Sequence, residues 1–186
     1  MKKLLSLLFL LPVLTTAQNL LSDNFPVKEG KIVYSEVVPV DSSMTANDLY
    51  LNAKNWLASA FNFSKSALQT DDKEAKLIIL KGVTNVPEVE GIDQSEWFLL
   101  KLELKNSRYK YSLFEIETEG YPFEIYFDIE IKKINRVAAS KDKRDIPLAK
   151  EYMENFIKYN QSLNAKFIAI ISSLKASMSK KADNNW

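Results

Sequence analysis

The chain has 186 residues, 46% hydrophobic and 26% charged, with 25 basic side chains against 24 acidic ones and neither histidine nor cysteine. Such a composition excludes intrinsic disorder and collagen-like repeats, and without cysteine there is no disulfide framework, zinc ribbon or thiol nucleophile. Without imidazole the chain cannot build a Ser-His-Asp triad, a Cys-His dyad, an HExxH zinc site or a facial triad, so no metal and no cofactor are expected.

Met1-Lys2-Lys3 forms a short positive start, and residues 4–14 make an apolar run of 11 residues broken only by Ser6 and Pro12, ahead of Thr15-Thr16-Ala17. That run is too short to cross a bilayer, which takes about 20 residues, but it suits an export signal with small residues at its cleavage site. The expectation is a signal peptide over residues 1–17, cut after Ala17, and one domain over residues 18–186. No cysteine is present to take a lipid, so the mature chain is expected to be periplasmic or secreted, with no membrane insertion. Charge is unevenly spread: residues 18–131 hold 11 basic and 19 acidic groups, and residues 132–186 hold 12 and 5. This asymmetry predicts a basic C-terminal helix docked on an acidic sheet.

Residues 31–40 are rich in β-branched side chains and predict a first strand. Thr45-Ala46-Asn47-Asp48 fits a capping box, and Leu49, Ala53, Trp56, Leu57, Ala60 and Phe61 then share one face of a helix. Residues 66–69 and 76–83 flank a polar turn and predict a hairpin. Leu77-Ile78-Ile79-Leu80 is apolar on both parities, which suggests a central strand. Residues 85–96 read as a long acidic loop. Over residues 97–105, Phe98, Leu100, Leu102 and Leu104 alternate with Lys101, Glu103 and Lys105. Asn106-Ser107 then turns the chain into residues 108–118, where the apolar parity shifts and predicts a bulge near Leu113 and Phe114. Residues 123–132 alternate once more and predict a sixth strand.

Asp145-Ile146-Pro147 offers a helix start after a basic connector. The helix that follows, about residues 147–178, carries a long apolar stripe with Asn160 as its one polar member. From Leu148 to Met178 it would reach about 46 Å, whereas six strands make a sheet only about 29 Å across. The helix is expected to overhang: either it bends near Asn160-Gln161-Ser162, or it carries Phe167, Ile170, Ile171 and Leu174 beyond the domain to a partner, a second copy included.

Gly30-Lys31-Ile32-Val33-Tyr34 with Glu36-Val37-Val38, Asp48-Leu49-Tyr50, Ala53-Lys54-Asn55-Trp56-Leu57, Asp72-Lys73-Glu74-Ala75 and Ser107-Arg108-Tyr109-Lys110-Tyr111, in this order and spacing, resemble a family of exported Bacteroidetes-type proteins. That family carries a domain of unknown function with a TATA-binding-protein-like (TBP-like) fold. The resemblance covers about residues 30–119. It implies an α+β, TBP-like architecture, β-α-β-β-β-β-α, with an antiparallel sheet of five to six strands and two helices packed on one face; the unusually long C-terminal helix lies outside the match. It brings no catalytic residues. Where the family tends to have glycine after the Asp-Lys-Glu-Ala turn, this chain has Lys76, and where the family tends to have Asp-Gly before Arg-Tyr, it has Asn106-Ser107.

Candidate chemistry is sparse. Asp71, Asp72 and Glu74 lack the spacing of a calcium loop and read as a solvated hairpin tip. Glu115, Glu117 and Glu119, with Glu124, Asp128 and Glu130, could pair carboxylates across strands as a glycan hydrolase requires, but a charged outer face explains them better. Arg108, Tyr109, Lys110 and Tyr111 interleave bases with aromatics. Alternation separates the two sets, which argues against nucleic acid. The function expected is therefore a non-enzymatic binding or assembly domain. Its candidate surface is the polar sheet face (Lys101, Glu103, Lys105, Arg108, Lys110) or the overhanging helix (Phe167, Ile170, Ile171, Leu174), and its partner a protein, peptide or glycan. A carboxylate-based glycan hydrolase is the alternative.

Overall fold

The computed structural model describes residues 20–61, 68–87, 93–140, 142 and 144–181. The expected signal peptide and cleavage site, the start of the expected strand at residues 66–69 and part of the expected acidic loop lie outside the described residues. In chain order the elements are β1 (Val27–Lys28), β2 (Lys31–Ile32), β3 (Tyr34–Pro39), α1 (Ala46–Ala60), β4 (Leu68–Asp72), β5 (Leu77–Pro87), β6 (Asp93–Lys105), β7 (Arg108–Thr118), β8 (Tyr121–Pro122), α2 (Phe123–Ala138) and α3 (Asp145–Met178).

The first two strands pair as a small ribbon, and the others form one antiparallel sheet in the order β3-β7-β6-β5-β4, with β8 on β7. Alternation decides which side of that sheet is covered. Ile78 and Leu80 of β5, Phe98, Leu100, Leu102 and Leu104 of β6, and Tyr109, Tyr111 and Leu113 of β7 are all buried, and α1, α2 and α3 pack against that side. The opposite face is open. This is the α+β, one-sided arrangement expected of a TBP-like fold, with a third helix added.

The capping box forms as its residues predict: Asp48 N donates to Thr45 Oγ1 at 3.2 Å and Thr45 N to Asp48 Oδ2 at 2.8 Å. The hydrogen bond from the Thr45 amide holds the Asp48 carboxyl below its usual range. Leu49, Ala53, Trp56 and Leu57 bury the predicted helix face.

Several expectations are corrected. Residues 123–132 are helix, not strand. The residues Phe123, Phe127, Ile131 and Ile134 repeat at steps of four, four and three and are all buried, a stripe that satisfies a helix; alternation satisfies the first ten residues equally well but stops there. The helical choice leaves Ile125 and Ile129 exposed, at 51% and 40%. Asp128–Lys132 and Glu130–Lys133 ion pairs support it along the surface. The sixth strand is instead the two-residue β8.

The β5 strand lies second from the edge, not centrally, because the hairpin partner β4 takes the edge and β6 the middle. What reads as an acidic loop is largely ladder, paired from Lys81↔Leu99 out to Pro87↔Asp93. The bulge falls slightly later than expected: Glu115 and Ile116 stand opposite Phe98, with Glu115 at φ 49°.

The long helix does not overhang. At 34 residues, α3 is about 51 Å long, and α2 lies beneath its first half, where Phe127 and Phe156 meet at 5.0 Å. The second half crosses α1 and the sheet: Trp56 Nε1 donates to Ser173 Oγ at 3.0 Å, and Phe167 touches Phe98 and Tyr34, each at 5.6 Å. Phe167, Ile171 and Leu174 are therefore core, Ile170 is half-buried against it, and none of the four is carried to a partner. The helix runs unbroken through Asn160, whose Nδ2 donates to Phe156 O at 2.8 Å. Its C-terminal end is tied to β3 and the following loop by Lys175–Glu36 and Lys181–Asp41 ion pairs. Those lysines hold the Glu36 and Asp41 carboxyls below their usual range.

Candidate functional site

All five polar residues singled out on the sheet, Lys101, Glu103, Lys105, Arg108 and Lys110, lie on its open face. Cross-strand register places Glu103 opposite Lys110, and Lys105 opposite Arg108 beside the Asn106-Ser107 turn. Lys101 pairs with Glu103 at 3.3 Å along β6. The Lys105–Arg108 pairing sets two cations directly opposite each other, an arrangement that disfavours the sheet by itself and concentrates positive charge at one end of the face.

A wall raises this face into a trough. The β1–β2 ribbon turns through Glu29 and Gly30 at φ 53° and 76°, the pair of left-handed residues that a tight hairpin needs. It is pinned from behind. Ile32 is buried and its N–H donates to Glu124 Oε1 at 2.8 Å, while Phe25 packs edge-on against Phe123 at 5.4 Å. The ribbon's Lys28 and Lys31 therefore line, together with Lys101, Lys110, Ser112 and Phe114 of the sheet, a shallow depression of about 480 Å³. Four lysines and two glutamates line it. Among the described residues Lys28, Lys31 and Lys110 have no carboxylate within ion-pair distance.

Further along the same face sits a feature that sequence reasoning missed. Trp97 is 43% exposed and pairs across to Val83, itself 41% exposed. Lys81 lies 5.6 Å from the centre of the indole and 3.1 Å from Glu117. Trp97 has the parity of Lys101 and Lys105, so the signal was available in the alternation that fixes its neighbours. The open face is thus cationic towards the β6–β7 turn and aromatic towards the opposite end.

Most of the acidic residues singled out have partners of their own. Glu117 binds Lys81, Glu124 receives the Ile32 N–H, and Asp128 and Glu130 pair with lysines along α2. Asp72 accepts from Glu74 N and Ala75 N within its own turn, and Asp71 pairs with Lys54. Among the described residues no group of three acidic side chains is placed to hold a metal. One carboxylate is set apart. Glu96 is fully buried where β6, β7 and α3 meet, and accepts from Thr118 Oγ1 and the Tyr159 hydroxyl. Burial pushes its carboxyl up. Its position within the run 85–96, which reads as a loop, hides it from the alternation pattern.

On the helical side, a cleft of about 300 Å³ opens between α2 and α3 in front of the first residues of β6. No described helix is long and apolar enough to cross a membrane.

Residues 34–119 match a family described as a domain of unknown function (DUF4468) with TBP-like fold. Among solved structures, a TBP-like protein from Parabacteroides distasonis is similar at 13% identity and a TM-score of 0.53, over 82% of this chain and 97% of that one. A DUF4468 family protein from Bacteroides ovatus is similar at 10% identity and the same TM-score of 0.53, over 87% of this chain and 94% of that one. At such identities the likeness is one of fold. No curated protein matches the chain.

Proposed function

Residues 34–119 belong to the DUF4468 family, a domain of unknown function with a TBP-like fold, and from that premise we propose that this is an exported, non-enzymatic binding domain whose open sheet face holds an acidic, extended segment of another protein. The observation that carries the reading is the trough: Lys28 and Lys31 on a pinned ribbon face Lys101 and Lys110 on the sheet across one shallow depression. Amines carried on a pinned ribbon and on the sheet suit carboxylates spaced along an extended chain, and Phe114 and Trp97 offer carbon surface on the same face. The face carries cations and aromatics, chemistry that holds a ligand rather than cleaving it. Export is part of the proposal and rests on the pattern of residues 1–17.

Poly-L-glutamate is the probe. The mature chain should bind it with an affinity that falls steeply as salt is raised, and a Lys31→Glu, Lys110→Glu variant should bind at least about tenfold more weakly with unchanged melting. Equal binding by the variant, or no binding by the parent protein at low salt, rules the reading out.

A further inference from the structure

The open sheet face is not uniform along its length, and its two ends call for different side chains. At the trough the cations are spare: Lys28, Lys31 and Lys110 line it, and their amines have no ion-pair partner among the described residues. At the other end the charge is already balanced. Trp97 stands opposite Glu117 on β7 and Val83 on β5, and Glu117 is taken by Lys81 at 3.1 Å, whose amine also lies 5.6 Å from the centre of the indole. A carboxylate arriving there would meet Glu117 and find the neighbouring cation engaged, a like-charge encounter that disfavours binding.

Carbon is what this end offers instead. Trp97 and Val83 are exposed. Leu99, two residues along β6 on the same face, is half-buried and stands opposite Phe114, which also lines the trough. Apolar surface therefore runs on from the cations to the indole. Tryptophan is enriched among the residues that anchor protein partners, and a flat indole is well covered by a second ring, edge-on or offset. Register fixes the spacing. Lys110 stands opposite Glu103, six residues from Trp97 along β6, a distance of about 20 Å in a strand.

We propose that the acidic segment held on this face carries an aromatic side chain about six positions from its acidic run, and that this ring packs on Trp97 and Val83. The inference rests on the trough reading and adds to it a second anchor and a length. Without the ring, an acidic segment is held at one end only.

Fluorescence anisotropy with labelled, end-capped peptides of about ten residues tests it: an all-glutamate peptide, and two others whose first or last residue is tyrosine. At least one tyrosine peptide should bind about fivefold more tightly, although it carries one carboxylate fewer, and the gain should persist as salt is raised because ring packing is not screened. Trp97→Ala should cut the difference between the peptides to less than about twofold. Should that variant fail to fold, amide NMR of the parent protein replaces it: the tyrosine peptide should shift Trp97 and Val83 beyond what the all-glutamate peptide does. Equal affinity for all three peptides, a gain that survives Trp97→Ala, or no added shift at Trp97 and Val83 overturns this proposal and leaves the trough reading in place. No binding of any of them at low salt removes both.

Discussion

Lys76 and Ser107 both adopt the backbone that glycine favours, with φ of 56° and 61°. An L side chain in the left-handed region crowds its own backbone, at a cost of roughly 1–2 kcal/mol. Each residue recovers part of that cost. Lys76 Nζ donates to Lys73 O and lies 5.7 Å from the Tyr50 ring, while Ser107 Oγ donates to Ser42 O at 3.0 Å. Asn106 adds a bond of its own, its Oδ1 accepting from Ala46 N at 2.8 Å, so this turn also serves the start of α1. Because the hydrogen bond of Lys76 is to an exposed turn, Lys76→Gly should stabilise the fold by about 1 kcal/mol, the reverse of glycine's usual effect. Urea unfolding measures it, and a loss of stability would mean that the lysine contacts outweigh the strain.

The elements are held to one another mainly through aromatic rings, and the strand Leu77–Pro87 shows what that demands. Gly82 faces Phe98, and a Cβ there would come within 2.4 Å of the ring. Phe98 lies across this gap to reach Phe167 at 5.6 Å and Phe61 at 6.3 Å, joining the sheet to the long helix and to the end of the first one. Phe98 is itself buried between those two rings, so it does not yield easily. Gly82→Ala should therefore cost about 1–3 kcal/mol, read as a lower thermal midpoint with weakened near-ultraviolet circular dichroism from the displaced rings. An unchanged midpoint would show that Phe98 can rotate away freely.

Across the whole molecule, one ionisable group sits where strands and helix converge. Glu96 is buried among β6, β7 and α3, and desolvation raises its carboxyl above the ordinary range. The folded state thus prefers the protonated form. Its contribution is fully present below the ordinary carboxyl value and is lost as pH rises through the raised one. Asp41 and Asp48 shift the other way, held low by Lys181 and Thr45, so their contributions disappear on acidification. Comparing Glu96→Gln with the parent protein cancels those shared terms. The variant should melt higher at neutral pH, with the gain shrinking towards pH about 4; a variant less stable at every pH would mean that the carboxylate's two hydroxyl bonds outweigh its desolvation.

By itself the sequence determined the elements whose pattern has only one period. The Thr45 cap, the apolar face of the first helix, the alternation through Phe98 to Leu104 and the long C-terminal stripe are local properties of spacing, and they also place Lys101, Glu103, Lys105, Arg108 and Lys110 on one open face. Tertiary structure decided whatever depends on what lies opposite. Residues 123–132 satisfy a period of two and a helical stripe together, and only the vacancy beneath the first half of the final helix selects helix. That same choice keeps Phe167, Ile171 and Leu174 in the core and not on a projecting surface, since the second helix underlies the first half of the long one and leaves its second half lying across α1 and the sheet. The trough and the cleft likewise unite residues far apart in the chain, Lys31 with Lys110 and Gln94 with Tyr152, and no local period records such meetings.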